Sequence, residues 1–329
     1  MIRRRMLAAL GLGVLAVALP SFAQQSGKLK RIGFLYFGSR QSAVATGRYD
    51  AFRQGLRELG YVEGRDLEIE WRFADGNEEK LAAMVEELLQ MKVDLIVTTG
   101  SQATRTVVRA TTTLPIIITA QTDPVGNGLG RSLAKPAGNV TGFYTNNVET
   151  IPKLFQLLKL AVPKVSRVAA LTNPGNTTHP PQIVQMREMA HEAGIQLLVL
   201  RASTPVGIEQ SFAEAMRQRS QGFLHLGDTF FVQQEEQIAK LALKDGLPSI
   251  AANPAFTTAG GLMSYGSDTN ENFRRAAAFV DKILKGAKPG DLPFEQSVRY
   301  YLTINRKTAK AIGLVLPEEL LLRADRVIE

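Results

Sequence analysis

From Arg31 onward, short runs rich in β-branched and aromatic residues alternate with longer stretches whose apolar residues recur at helical spacing. Repeated strand–helix units of this kind fold into parallel sheets covered on both faces by helices. The spacing predicts strands over 31–37, 67–73, 93–99, 115–119 and 140–144. Helices are predicted over 44–59, 78–91 and 102–110. The rhythm then restarts. Helices are predicted over 152–161, 183–193, 208–218, 232–244 and 272–285, with strands over 168–172, 196–200, 222–226, 248–251, 261–265 and 298–304. Two successive blocks of similar rhythm imply an α/β protein with two doubly wound lobes. Periodicity does not assign the later segments to either lobe.

The N-terminus reads differently. Arg3, Arg4 and Arg5 precede an uncharged apolar run, Met6 to Leu19, which Pro20 ends. Ser21-Phe22-Ala23 then offers small residues at a cleavage site. This is the pattern of a secretory signal peptide over residues 1–23. The run is too short to span a bilayer, which takes about 20 apolar residues. Export to the periplasm is expected, by the general or the twin-arginine route. Cleavage would remove three arginines from a net charge of +8. The remaining Lys and Arg are dispersed rather than gathered in a stripe, so no nucleic-acid partner is expected. Cysteine is absent, which excludes disulfides and thiolate metal or redox chemistry.

In open parallel sheets ligands bind beyond the carboxyl ends of the strands. Here those ends carry Gly38-Ser39, Thr99-Gly100-Ser101-Gln102, Gln121-Thr122-Asp123-Pro124, Asn173-Pro174-Gly175-Asn176 and Gly227-Asp228-Thr229. Gly100 would let backbone approach a ligand, and Ser101 reads as an N-cap beside N–H groups that could hold a carboxylate. Asp228 could hold a ligand ammonium or cap the following helix. Asp123 reads as a cap for a helix after Pro124. Phe37, Tyr144 and Trp71 read as core, and His225 as a satisfied core histidine. Gly126, Gly128 and Gly130 have G-x-G-x-G spacing rather than a dinucleotide fingerprint. Neither a Walker A motif, nor H-E-x-x-H, nor a G-x-S-x-G elbow occurs. No cofactor, metal or catalytic residue is expected.

Several ordered segments carry a resemblance. They are Arg31-Ile32-Gly33, Gly55 to Tyr61 with Gly64, and Thr122-Asp123-Pro124-Val125-Gly126. Leu133 to Gly142, Ala259 to Gly266 and Asp281 to Pro289 follow, with Ile304-Asn305, Thr308-Ala309, Gly313-Leu314 and Pro317 at the end. With these the chain resembles the ABC-transporter substrate-binding proteins, the family that includes tryptophan- and aromatic-amino-acid-binding members. The resemblance spans about residues 30–329. It implies a type I periplasmic-binding fold, two Rossmann-like lobes joined by three crossovers. Residues 28–145 with 255–285 would form lobe one, and 146–254 with 286–329 lobe two. By matching positions it places ligand-facing loops at Phe37-Gly38-Ser39, Gly100-Ser101, Gln121-Thr122-Asp123, Asn173, Asn176, Asp228 and Tyr265.

It also implies a non-enzymatic, monomeric receptor. Such a receptor closes on an amino acid or carboxylate-bearing compound and delivers it to an inner-membrane ABC permease. A receptor for a membrane signalling partner is the alternative, and an exported α/β hydrolase the third. One segment departs from the family. Where many relatives carry roughly Y-G-x-R-E-F, this chain has Ala251-Ala252-Asn253-Pro254-Ala255-Phe256. Ligand identity therefore does not carry over from aromatic-binding relatives.

Overall fold

A computed structural model describes residues 29–145, 147–297 and 299–329. The expected signal peptide lies outside the described residues. In chain order the first block is β1 (Lys30–Tyr36), α1 (Arg40–Ala45), α2 (Arg48–Glu58), β2 (Leu67–Phe73), α3 (Glu79–Gln90), β3 (Leu95–Thr99), α4 (Ser101–Ala110), β4 (Ile116–Thr122) and β5 (Val140–Thr145). The second block begins with α5 (Asn147–Ala161), β6 (Arg167–Thr172), α6 (His179–Glu192), β7 (Gln196–Arg201), α7 (Pro205–Arg217) and β8 (Gly222–His225). It continues with α8 (Thr229–Gln233), α9 (Glu235–Lys244), β9 (Ser249–Ala251), α10 (Ala255–Thr258) and β10 (Met263–Ser267). The tail supplies α11 (Thr269–Leu284), β11 (Phe294–Gln296), β12 (Tyr300–Asn305), α12 (Arg306–Ala311), α13 (Glu318–Leu322) and β13 (Arg326–Ile328).

Two sheets result. One has six strands in the order β11-β5-β4-β3-β1-β2, the other seven in the order β13-β12-β10-β9-β8-β6-β7. The described pairings are parallel except that of β10 with β12. This is the type I periplasmic-binding architecture. The chain passes between the sheets three times, after β5, after β10 and after β11.

Those crossings revise the segment boundaries drawn from the resemblance. Met263–Ser267 was expected in lobe one, but it pairs with β9 and β12 in the second sheet. Phe294–Gln296 was expected in lobe two, yet it pairs with β5 at the edge of the first sheet. Only α11 returns as expected, packing across α2. Arg274 of α11 pairs with Glu58 of α2, and Tyr61 donates to Asp281 at 2.8 Å. Burial and that carboxylate push the Tyr61 phenol up to about 12.

Local chemistry explains where elements start and stop. The single helix predicted over 44–59 is two helices, because Gly47 adopts φ +73°, a left-handed conformation that breaks the first. No helix forms after Pro124. Asp123 instead closes a turn by accepting the Gly126 N–H at 2.8 Å, and the chain runs irregularly to β5. In β1, Phe34 packs on Phe52 and Trp71 on one side of the sheet, while Leu35 and Phe37 face the other. Each such fully buried side chain contributes roughly 1.5–3 kcal/mol. One buried apolar cluster includes Phe37 and Ala74 of lobe one together with Phe230 and Phe231 of lobe two, so the lobes touch through apolar contact as well as polar.

Candidate functional site

The carboxyl ends of both sheets face one another across a cleft with about 760 Å³ of empty space, the solvent at its mouth included. Lobe one contributes Thr99, Gly100 and Ser101 after β3, and Gln121 and Thr122 at the end of β4. A register shift between Ile118 and Gln121 aims the end of β4 into the hollow. Lobe two contributes Asn176 after β6, Asp228 after β8, Asn253 after β9, and Gly266 and Ser267 at the end of β10. Tyr300 and Thr269 line it from the crossings.

Gly100 earns its place by geometry. Its φ is +92°, and a Cβ there would lie 3.0 Å from the Phe37 Cβ and 3.1 Å from Thr229 Oγ1 of the other lobe. Gly100, rather than Ser101, is the N-cap of α4. The Ser101 hydroxyl donates across the cleft to Asn176 Oδ1 at 2.9 Å, with Gln102 Oε1 at 3.1 Å. Its one proton faces an acceptor in each lobe, the nearer being that of Asn176.

The lobe-two wall is a hydrogen-bonded network. Asp228 caps α8, accepting the Phe230 and Phe231 N–H groups on Oδ1 at 2.9 and 3.2 Å. Asn173 donates to the same oxygen at 3.1 Å, and Asn176 donates to Oδ2 at 2.8 Å. Behind it, His179 accepts the Asn173 N–H on Nδ1 at 2.9 Å, which leaves the proton on Nε2 to donate to Gly227 O at 3.3 Å. One neutral imidazole thus ties two cleft loops together. Burial lowers its pKa, outweighing the pull of Asp228. His225 is its opposite. Burial works to lower its pKa, but the charge and hydrogen bond of Glu235, at 3.1 Å, raise it. Both its nitrogens face acceptors, Leu226 O and Glu235. It is the satisfied core histidine that the sequence suggested.

Of the twelve residues expected to face ligand, Gly100, Ser101, Gln121, Thr122, Asn176 and Asp228 line the cleft. The other six stand back. Phe37 is buried in the core, and Gly38 is crowded by the Tyr36 ring. Ser39 caps α1 and lines a wider neighbouring chamber. Asp123 is exposed in its turn. Asn173 lies behind Asp228, and Tyr265 stacks on Tyr300 with ring centroids 5.9 Å apart.

Among the lining residues outside the expected set, which include Asn253, Ser267, Thr269 and Tyr300, one carries a charge. Arg48, the first residue of α2, is 6% exposed and lies at the junction of the cleft with the wider chamber. Its Nη1 donates to Tyr36 Oη at 2.8 Å, its guanidinium lies 5.8 Å from the Phe273 ring centroid, and its Nε has no partner. A cation at the positive end of a helix opposes the dipole, and that position was the available signal.

Comparison with known proteins agrees with this architecture. The family model described as ABC transporter substrate binding protein matches residues 40–328. A tyrosine-binding protein of Clostridioides difficile (strain R20291) is 26% identical over 263 residues, covering 80% of this chain and 75% of that one. The solved structure of an ABC domain from Streptococcus pneumoniae in complex with L-Trp is 27% identical, with a TM-score of 0.83, and covers 91% of this chain and all of that one. A conserved domain protein from Vibrio cholerae O1 biovar eltor is 26% identical with a TM-score of 0.84 over the same shares. The chain belongs to the family of ABC-transporter substrate-binding proteins, which are solute-binding components rather than enzymes.

Proposed function

We propose that this chain is the periplasmic receptor of an ABC importer, a monomer that closes on an amino acid or other carboxylate-bearing solute and delivers it to an inner-membrane permease. The observation that carries this reading is the convergence of strand tips from both lobes on one cleft, bridged by Ser101 and Asn176. Gly100, Ser101, Gln121, Thr122, Asn176 and Asp228 would contact the solute, with Asn173 holding Asp228 in place. Asp228 retains an acceptor position on Oδ2 that an ammonium group could use. The tyrosine-binding relative and the L-Trp complex support the amino-acid side of the reading. The leader pattern of residues 1–23 supports export, and among the described residues no helix is long and apolar enough to cross a membrane. Hinge motion at the three crossings would open and close the cleft.

Titration calorimetry of the chain without residues 1–23 tests the receptor role. Saturable one-to-one binding within a panel of amino acids, organic acids, sugars and polyamines is the expected result. A panel without any saturable heat would refute it. Uptake of the identified solute, lost on deleting the gene and restored by the permease-coupled wild type, tests delivery.

A further inference from the structure

We propose that Arg48 is the anchor for the solute's carboxylate, and that the ligand class is a small polar carboxylate for which an ammonium group is optional. This inference rests on the receptor reading above and concerns which chemistry that cleft selects.

Among the described residues Arg48 is the one cation lining the narrow cleft, and it forms no ion pair there. Its acceptor, Tyr36 Oη, belongs to a phenol and not to a carboxylate, and its Nε is buried without a partner. A buried charge left uncompensated is strongly destabilising. Of the four acids that line the wider chamber with it, Glu235 faces His225, Glu236 faces Lys240, Asp268 caps α11 and Asp325 accepts the Leu302 N–H, and none of them pairs with Arg48. What would compensate Arg48 is therefore an anion brought into the cleft. A carboxylate matches the planar, forked guanidinium better than any other common small-solute group of single charge.

Asp228 makes the opposite case. Four donors already serve its carboxylate, so its charge is met without a ligand. Ser101, the other expected anchor, has its proton engaged with Asn176 and has none to give a carboxylate while that bond holds. Unmet demand in the cleft is thus positive. The remaining walls are largely hydroxyl and amide, among them Thr99, Gln121, Thr178, Thr229, Asn253 and Ser267, against two aromatic rings, Phe273 and Tyr300. Such walls suit a solute bearing hydroxyl or carbonyl groups more than a large aromatic side chain.

The test uses matched trios of an amino acid, its hydroxy acid and its amide, titrated into the wild-type protein by calorimetry. Serine, glycerate and serinamide form one trio, alanine, lactate and alaninamide a second. Tyrosine, 4-hydroxyphenyllactate and tyrosinamide form the third. Within the trio that binds, the hydroxy acid should lie within about tenfold of the amino acid, and the amide should bind at least about a hundredfold more weakly. Arg48→Met should lose about a hundredfold for the acids, Arg48→Lys about tenfold, and Tyr36→Phe only a few-fold.

An amide that binds as well as its acid overturns the proposal, as does an Arg48→Met protein that binds unchanged. A hydroxy acid that fails where the amino acid binds overturns the optional ammonium. Should Arg48→Met fail to fold by circular dichroism, the acid–amide comparison on the wild type decides alone. If only a sugar or a polyamine binds, the Arg48 assignment falls while the receptor reading stands. If nothing binds, both fall.

Discussion

The two walls of the cleft are built on opposite plans. On the lobe-two side, Asn173, Asn176, Asp228 and His179 hydrogen-bond one another and the α8 N-terminus, so the wall holds its shape before any solute arrives. On the lobe-one side, Arg48 is buried without an ion pair among the described residues, and its Nε has no hydrogen-bond partner. A saturated network holds shape, while an unsaturated cation holds selectivity. The same fold places stability on one face of the hollow and a deliberate deficit on the other.

Substitutions should separate the two. Asp228→Ala leaves four donors without their acceptor and removes a helix cap, and should cost about 3 kcal/mol in urea denaturation. Arg48→Met should do the reverse in solute-free protein, leaving stability unchanged or raising it by about 1 kcal/mol, because it removes a buried unpaired charge. A large loss for Arg48→Met would erase the contrast between the walls.

The two buried histidines sharpen it through pH. His179 has a lowered pKa in the fold, so below about 6.5 the unfolded chain takes up a proton that the folded chain refuses. Its contribution is intact above that value and is lost as pH falls through the range beneath it. His225 has a raised pKa, so its contribution is full below about 6.5 and is lost as pH rises through its higher folded value. Melts across pH should show His179→Gln flattening the acid limb and His225→Gln the alkaline limb.

Ser101→Ala removes the hydroxyl bridge between the lobes, worth about 1 kcal/mol, and should raise the open fraction of solute-free protein about fivefold by X-ray scattering. Breaking the exposed Lys240–Glu236 pair should change stability by less than about 0.5 kcal/mol.

Much of this architecture was legible because it is local. The alternation in Leu-Glu-Ile-Glu-Trp-Arg-Phe specifies β2 over the same residues the structure shows, and the strand-tip rule located Gly100, Ser101, Gln121, Asn176 and Asp228. What was hidden depends on distant partners. Three-residue strands such as β11 and β13 have too little length for a period and are strands only because a sheet edge awaits them. Arg48 reads locally as one more surface cation on an amphipathic helix. It becomes buried only when α11, with Phe273, packs across α2 from more than two hundred residues away. β10 and β11 lie outside their expected lobes for the same reason, since pairing with distant strands places them.

The three crossings also govern how the molecule comes into being. The sheet that starts at Lys30 is completed by β11 at Phe294–Gln296, and its helical cover by α11 shortly before. A chain emerging from its N-terminus therefore cannot finish its first half until nearly all of its second half has appeared. Until then β5 presents a bare edge, and the apolar faces of β1 and β4 lack a lid. Any stop in synthesis before residue 294 would release an aggregation-prone intermediate rather than a usable half, so quality control of this protein is settled in its last few dozen residues.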